Sequence, residues 1–148
     1  MVKIKADIKI VAVACFIVIF TISALILYQQ TFFSEKGFPL EVDLDKNVFN
    51  VGEKFSVTAT IINKSGKDVN MSSNGQMPCV FFHNVNDNIP HGEITIRVDQ
   101  IFKANEKISR VFEYEAIETG TYILDVHYSI GIDNIWIRNI IEHIIEVR

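Results

Sequence analysis

Cys79 and His83 come first, because thiolate and imidazole bind soft metals and perform nucleophilic chemistry. Met77, another soft donor, stands two residues before the cysteine. If residues 79–83 are extended, Cys79, Phe81 and His83 share one face, since strand side chains alternate. That is the start of a copper or zinc carrier. A mononuclear copper centre also wants a second histidine, for which His91 is the nearby source. The late histidines, His127 and His143, form no Cys/His/Met loop cluster. The competing reading is a buried free thiol, since cysteine is among the most buried side chains. The thiol reading is preferred: no metal ligand is assigned, and Cys79 with His83 stands as the alternative. A nucleophilic role for Cys79 would need a histidine oriented by Asn or Asp, and no spacing in the sequence specifies one. The expectation is therefore no enzyme, no catalytic residue and no cofactor.

The residues before Cys79 read as a recognition tip. Ser72-Ser73-Asn74-Gly75-Gln76-Met77-Pro78 joins two apolar runs, and loops on a rigid scaffold commonly carry binding. Asn74, Gly75, Gln76, Met77 and Pro78 are the candidate binding loop. Its Ser, Asn and Gly predict mobility, with Pro78 alone to stiffen it and mark the next strand. Asn63-Lys64-Ser65 and Asn70-Met71-Ser72 match the glycan-acceptor pattern, which would mark exposed loops. The carboxylate pairs Asp43/Asp45 and Glu113/Glu115 fall two apart, as on a solvent-facing strand, and make no acid/base pair.

The elements that position these residues are of two kinds. Ile10 to Leu27 is a charge-free run of 18 residues in a chain of 148, long enough for a membrane-spanning helix over residues 10–28. Lys3, Lys5 and Lys9, opposed only by Asp7, place residues 1–9 in the cytoplasm and residues 29–148 outside the cell. The run exceeds a signal-peptide core and no small-residue cleavage site follows it, so a retained anchor in the cell membrane is expected. Residues 29–38 form a tether and residues 39–148 a domain.

Removing Lys3, Lys5, Lys9 and Asp7 from the chain's 14 basic and 18 acidic residues leaves 11 and 17, a formal charge of −6. Such a field repels nucleic acid. The partners expected are the membrane and an extracytoplasmic protein. Cys79 is the single cysteine after the span, so no disulfide closes within the domain.

From Pro39 onward the apolar residues recur every second position. The sets are Leu40, Val42, Leu44; Phe55, Val57, Ala59, Ile61; Ile94, Ile96, Val98; and Tyr122, Leu124, Val126, Tyr128. Asn63-Lys64-Ser65-Gly66, Ser73-Asn74-Gly75, Asn86-Asp87-Asn88, Glu118-Thr119-Gly120 and Asp133-Asn134 supply turns between runs. No amphipathic helix follows Leu27. The pattern predicts an all-β fold, an Ig-like antiparallel β-sandwich of about seven to eight strands behind one N-terminal transmembrane helix.

Within the first half of the domain, Asn63, Ser65, Lys67, Val69, Met71, Ser73, Gly75 and Gln76 follow an alternating strand in the order Asn-x-Ser-x-Lys, Val, apolar, Ser-x-Gly-Gln. Together with Glu118-Thr119-Gly120-Thr121-Tyr122, this resembles the BsuPI-type intracellular proteinase inhibitor domain. The similar segments cover about half of residues 48–126. The resemblance implies an Ig-like sandwich, and a proteinase-inhibitor-like use of loops such as 72–79 or 84–92. The primary expectation remains a membrane-anchored extracytoplasmic domain with a non-catalytic binding or structural role.

Overall fold

The structure, a computed structural model, describes residues 13–24, 35–87 and 96–148. The chain divides into two units between residues 32 and 33, and each is described by itself. In the first, residues 13–24 form a helix, α1. Its one threonine, Thr21, donates back to the carbonyls of Ile17 (3.0 Å) and Val18 (2.9 Å), so its hydroxyl is satisfied within the helix. Phe16, Ile17, Ile19 and Phe20 are all exposed. Among the described residues no helix is long and apolar enough to cross a membrane. Residues 10–12 and 25–28 of the expected span, like 1–9 and 29–34 on either side, lie outside the described residues.

The second unit is built from strands. Period-two alternation in β3 (Lys54–Ile62) sends Val57, Ala59 and Ile61 inward, and the same period in β8 (Gly120–Ile132) buries Tyr122, Leu124, Val126 and Tyr128. These faces pack against each other across two sheets. The smaller sheet runs β1 (Leu40–Asp43), β3, β7 (Lys107–Glu115). The larger runs β2 (Val48–Phe49), β9 (Ile135–Val147), β8, β4 (Val69–Asn74), β6 (Arg97–Phe102), and β5 (Cys79–Asn84) also pairs with β8. An all-β sandwich of two sheets is thus the architecture.

Three details differ from the sequence expectation. The described residues hold nine strands, and β2 lies parallel to β9 in an otherwise antiparallel fold. Two residues are too few to show a period; the buried Phe49 and backbone bonds such as Arg148 N–H to Phe49 O (3.0 Å) hold β2 in place. Ile96, expected on a buried face, is exposed; Phe102 is the residue of β6 that fills the core, and His91 and Ile94 lie outside the described residues. Finally, Phe38 belongs to the core rather than to a tether. It is fully buried, its carbonyl accepts the Tyr128 hydroxyl, and Lys64 N–H bonds Gly37 O at 2.8 Å.

Asn63 explains the turn after β3. Fully buried, its amide donates to the carbonyls of Lys67 (2.9 Å), Phe102 (2.8 Å) and Lys103 (3.0 Å). Its oxygen accepts from Ser65 N–H (3.0 Å) and Ser65 Oγ (2.6 Å). The glycan-acceptor pattern at Asn63 is therefore a buried polar hub, whereas Asn70 on β4 is exposed. At the other end of the large sheet, Asp133 (φ 48°) and Asn134 (φ 66°) make the two-residue turn between β8 and β9.

Candidate functional site

β8 is long enough to carry β4 and β5 end to end along one edge. Residues 71–73 of β4 pair with 132–130, and residues 79–84 of β5 with 127–122. The chain must step between the two at residues 75–78, the expected recognition tip. Gly75 adopts φ +89°, a left-handed conformation that glycine reaches without a Cβ clash. Its N–H bonds Ile96 O (2.7 Å), and its carbonyl accepts Ser73 Oγ (2.7 Å). The Met77–Pro78 peptide is cis, and both residues are buried.

The turn is therefore braced and partly internal. Arg110 of β7, in the opposite sheet, donates Nη1 to Gln76 O (2.9 Å) and Pro78 O (3.2 Å). Of the five candidate binding residues, Asn74 and Gln76 are exposed, Gly75 is half-buried, and Met77 and Pro78 fill the interior. A burial of this kind is worth about 2 kcal/mol for a methionine side chain, so Met77 serves the core. The expected mobility is not what this geometry produces: composition signalled flexibility, and a cross-sheet guanidinium supplied the restraint.

Cys79 and His83 both lie on β5, on one face as expected, but four strand residues place them roughly 13 Å apart. Ligands of a single zinc or copper ion sit about 2.0–2.3 Å from it, so the pair cannot close on one ion. Strand spacing therefore gives the carrier reading no support from this pair. Among the described residues no group of three or more His, Cys, Asp or Glu side chains is placed to hold a metal. The Cys79 thiol turns toward its own loop, 3.5 Å from Gln76 O and 3.7 Å from Met77 Sδ. Nδ1 of His83 is buried without a hydrogen-bond partner among the described residues. Glu113 and Glu115 face solvent on the small sheet, with Lys54 Nζ 3.9 Å from Glu115.

Sheet pairing creates what spacing did not show. Cys79 stands directly opposite His127, and Phe81 opposite Asp125. His127 Nδ1 lies 2.9 Å from Asp125 Oδ1, and the Phe81 ring stacks on the imidazole with centroids 5.3 Å apart. The carboxylate orients the ring with Nε2 away from it. These residues belong to the outer face of the large sheet, continued across β8 by Ile123 and across β9 by Trp136, Arg138, Ile140, Glu142 and Ile144. Trp136, Ile140 and Ile144 are 56%, 51% and 67% exposed. Trp136 lies over Gly131, where an added Cβ would come 3.4 Å from the indole.

Beyond this apolar band, β4 and β6 close the face with a polar clasp. Arg97 Nε reaches Asp99 Oδ1 at 2.9 Å, Arg97 Nη2 reaches Ser72 Oγ at 3.1 Å, and Ser72 Oγ donates to Asp99 at 2.6 Å. The Ser72 hydroxyl, followed by Arg97, holds the Asp99 carboxyl below its ordinary range. Beneath the face, burial pushes the Tyr114 phenol up to about 12, and its hydroxyl donates to Val80 O at 2.9 Å.

One signal in the sequence pointed to this face. Ile135–Val147 carries large apolar residues on both strand faces, Ile137, Ile141 and Ile145 on one and Trp136, Ile140 and Ile144 on the other, with polar residues between them. A simple alternation of apolar and polar positions does not describe it.

Comparisons with known proteins return likenesses of shape. No family model matches the chain, and a search of curated proteins finds no match. Among solved structures, the CARDB domain of a Pyrococcus furiosus protein is similar with a TM-score of 0.47 and 13% identity, over 75% of this chain and 94% of that one. A PapD-like domain of human CEP192 is similar with a TM-score of 0.41 and 8% identity, over 72% and 84%. A β-glucosidase from Listeria innocua is similar with a TM-score of 0.39 and 18% identity, over 74% of this chain but 16% of the enzyme.

Proposed function

We propose that this chain is a membrane-anchored, extracytoplasmic display module with a non-catalytic binding or structural role, and that its contact surface is the outer face of the large sheet. The observation that carries the reading is the band Trp136–Ile140–Ile144 on one strand, extended by Phe81 and Ile123 on its neighbours. Large apolar side chains exposed on one face, here alternating with Arg138 and Glu142, mix apolar and charged groups as interaction surfaces do. A tryptophan at its end fits the residue types that dominate binding energy. The anchor is supported by the charge-free run Ile10–Leu27 and the lysines before it. A helix apolar all round, as residues 13–24 are, needs an apolar surrounding.

The proteinase-inhibitor reading finds little support at residues 75–78, because an inhibitor must present side chains outward and Met77 and Pro78 point inward. Its other candidate loop, 84–92, is described only to Asp87.

Two measurements test the proposal. A membrane-impermeant thiol reagent applied to intact cells should label Ser34→Cys; labelling only after lysis reverses the orientation. A photo-crosslinking residue placed at Ile144 should give a discrete adduct in cells, whereas one at Ser56, on the opposite surface of the sandwich, should give none. Equal, diffuse crosslinking from both positions would remove the outer face from consideration.

A further inference from the structure

We infer that the partner of β9 is a second copy of this chain, joined edge to edge across a two-fold axis at Ile140. β9 pairs with β8 on one side along its whole length. On the other side its one described strand partner is β2, which reaches only Glu146 and Val147. Among the described residues, Ile135–Ile145 makes no backbone bond on that outer edge. A long apolar edge strand without proline is a template for another strand. Here the free stretch is bounded by the Asp133–Asn134 turn at one end and by β2 at the other, and its midpoint is Ile140.

The side chains identify the occupant. Reading along the outer face, β9 presents Trp136, Arg138, Ile140, Glu142 and Ile144. Two copies placed antiparallel about Ile140 bring Arg138 of each opposite Glu142 of the other. Trp136 then meets Ile144, and Ile140 meets itself. Directly opposed strand residues lie about 4.5–5.5 Å apart, so unlike charges attract and like charges repel. Edge charges commonly prevent self-pairing, but that requires the same sign at positions related by the axis. Arg138 and Glu142 have opposite signs at those positions, and neither makes an ion pair among the described residues. An interface in which residue i meets j and j meets i is what a two-fold dimer demands. Pairing of the whole stretch would span about 36 Å of edge and join the two large sheets into one. The two apolar bands would then lie side by side on a common face.

The test uses the full chain in mild detergent, with self-association followed by analytical ultracentrifugation. The wild type should dimerise. Arg138→Glu and Glu142→Arg each place like charges opposite one another twice per dimer, and each should raise the dissociation constant by at least about tenfold. The double variant should recover wild-type association. An equimolar mixture of the two single variants should form a heterodimer, because each then presents one sign to the other. Should a swap impair folding, as judged by melting, a second measurement stands in its place. Ile140→Cys, in a chain with Cys15→Ser and Cys79→Ser, should oxidise to a disulfide-linked dimer, while Ser56→Cys in the same background should not. A monomeric wild type, with the edge left free or taken by the chain's own residues 25–34, would overturn the inference. So would association indifferent to residues 138 and 142, as association through the N-terminal helix would be; that outcome leaves the anchor and the outer-face reading standing.

Discussion

Arg110 and Gln76 tie the two sheets together: the guanidinium of β7 donates at 2.9 Å to the Gln76 carbonyl at the turn between β4 and β5. The same nitrogen reaches Pro78 O, and the guanidinium also stands 4.8 Å from the centre of the Phe112 ring. Arg110→Ala should therefore cost about 1–2 kcal/mol of stability in denaturant titration. It should also make residues 75–78 newly sensitive to limited proteolysis under native conditions. Unchanged cleavage rates would mean that Gly75 and the buried Met77 hold the turn without the arginine.

Asn63 should be the more costly residue to lose. Its side chain satisfies three carbonyls and receives two donors in a fully buried site. Asn63→Ala strands those groups, and a loss of about 3 kcal/mol or more is expected. Asn63→Asp should cost a similar amount, because a carboxylate offers no donors to the carbonyls of Lys67, Phe102 and Lys103. A cost below about 1 kcal/mol for alanine would show that water replaces the amide.

Alkaline pH should destabilise the sandwich through its buried phenols. The Tyr114 phenol is pushed up to about 12 by burial, and burial raises that of Tyr128 as well. In the unfolded chain both ionise near pH 10. Below that pH folded and unfolded states bind the same phenolic protons, and the contribution is constant. Above it the unfolded chain loses them first, so stability falls as pH rises from 10 through 12. Tyr114→Phe should flatten part of this limb and cost about 1 kcal/mol at neutral pH for the lost bond to Val80 O. The measurement is the unfolding midpoint against pH for both proteins; parallel curves would exclude Tyr114 as a contributor.

Cys79 should prove structural. Its thiol touches the turn carbonyl and Met77, so Cys79→Ala should lower stability by about 1 kcal/mol. Purified protein dialysed against chelator should keep no stoichiometric zinc or copper. Metal that survives dialysis, and is lost in both Cys79→Ala and His83→Ala, would restore the carrier reading.

Much of the architecture was legible before any coordinates. Leu40, Val57, Ala59, Ile61, Leu124 and Val126 occupy the core because a strand's period of two is a property of local backbone geometry, visible in any short window. The Asp133–Asn134 turn was equally local, since both residues tolerate the left-handed backbone they adopt. The two-residue β2 was not legible, because it exists only through its contact with β9. The restraint on the 75–78 turn was not legible, because composition reports a loop's intrinsic freedom and not the Arg110 bond that limits it.

What the chain determined by itself, then, was its class: alternating apolar positions, turn residues between them and a charge-free run at the N-terminus. Each depends on neighbours a few residues apart. The tertiary structure decided which side chains meet. Cys79 faces His127, 48 positions along the chain, only because β5 pairs with β8 in one register. A slip of one residue would have sent either to the opposite face. The same register leaves Trp136, Ile140 and Ile144 exposed on β9, and its outer edge from Ile135 to Ile145 makes no backbone hydrogen bond among the described residues. Local sequence sets what each strand prefers to bury; only pairing between distant strands sets what is left uncovered.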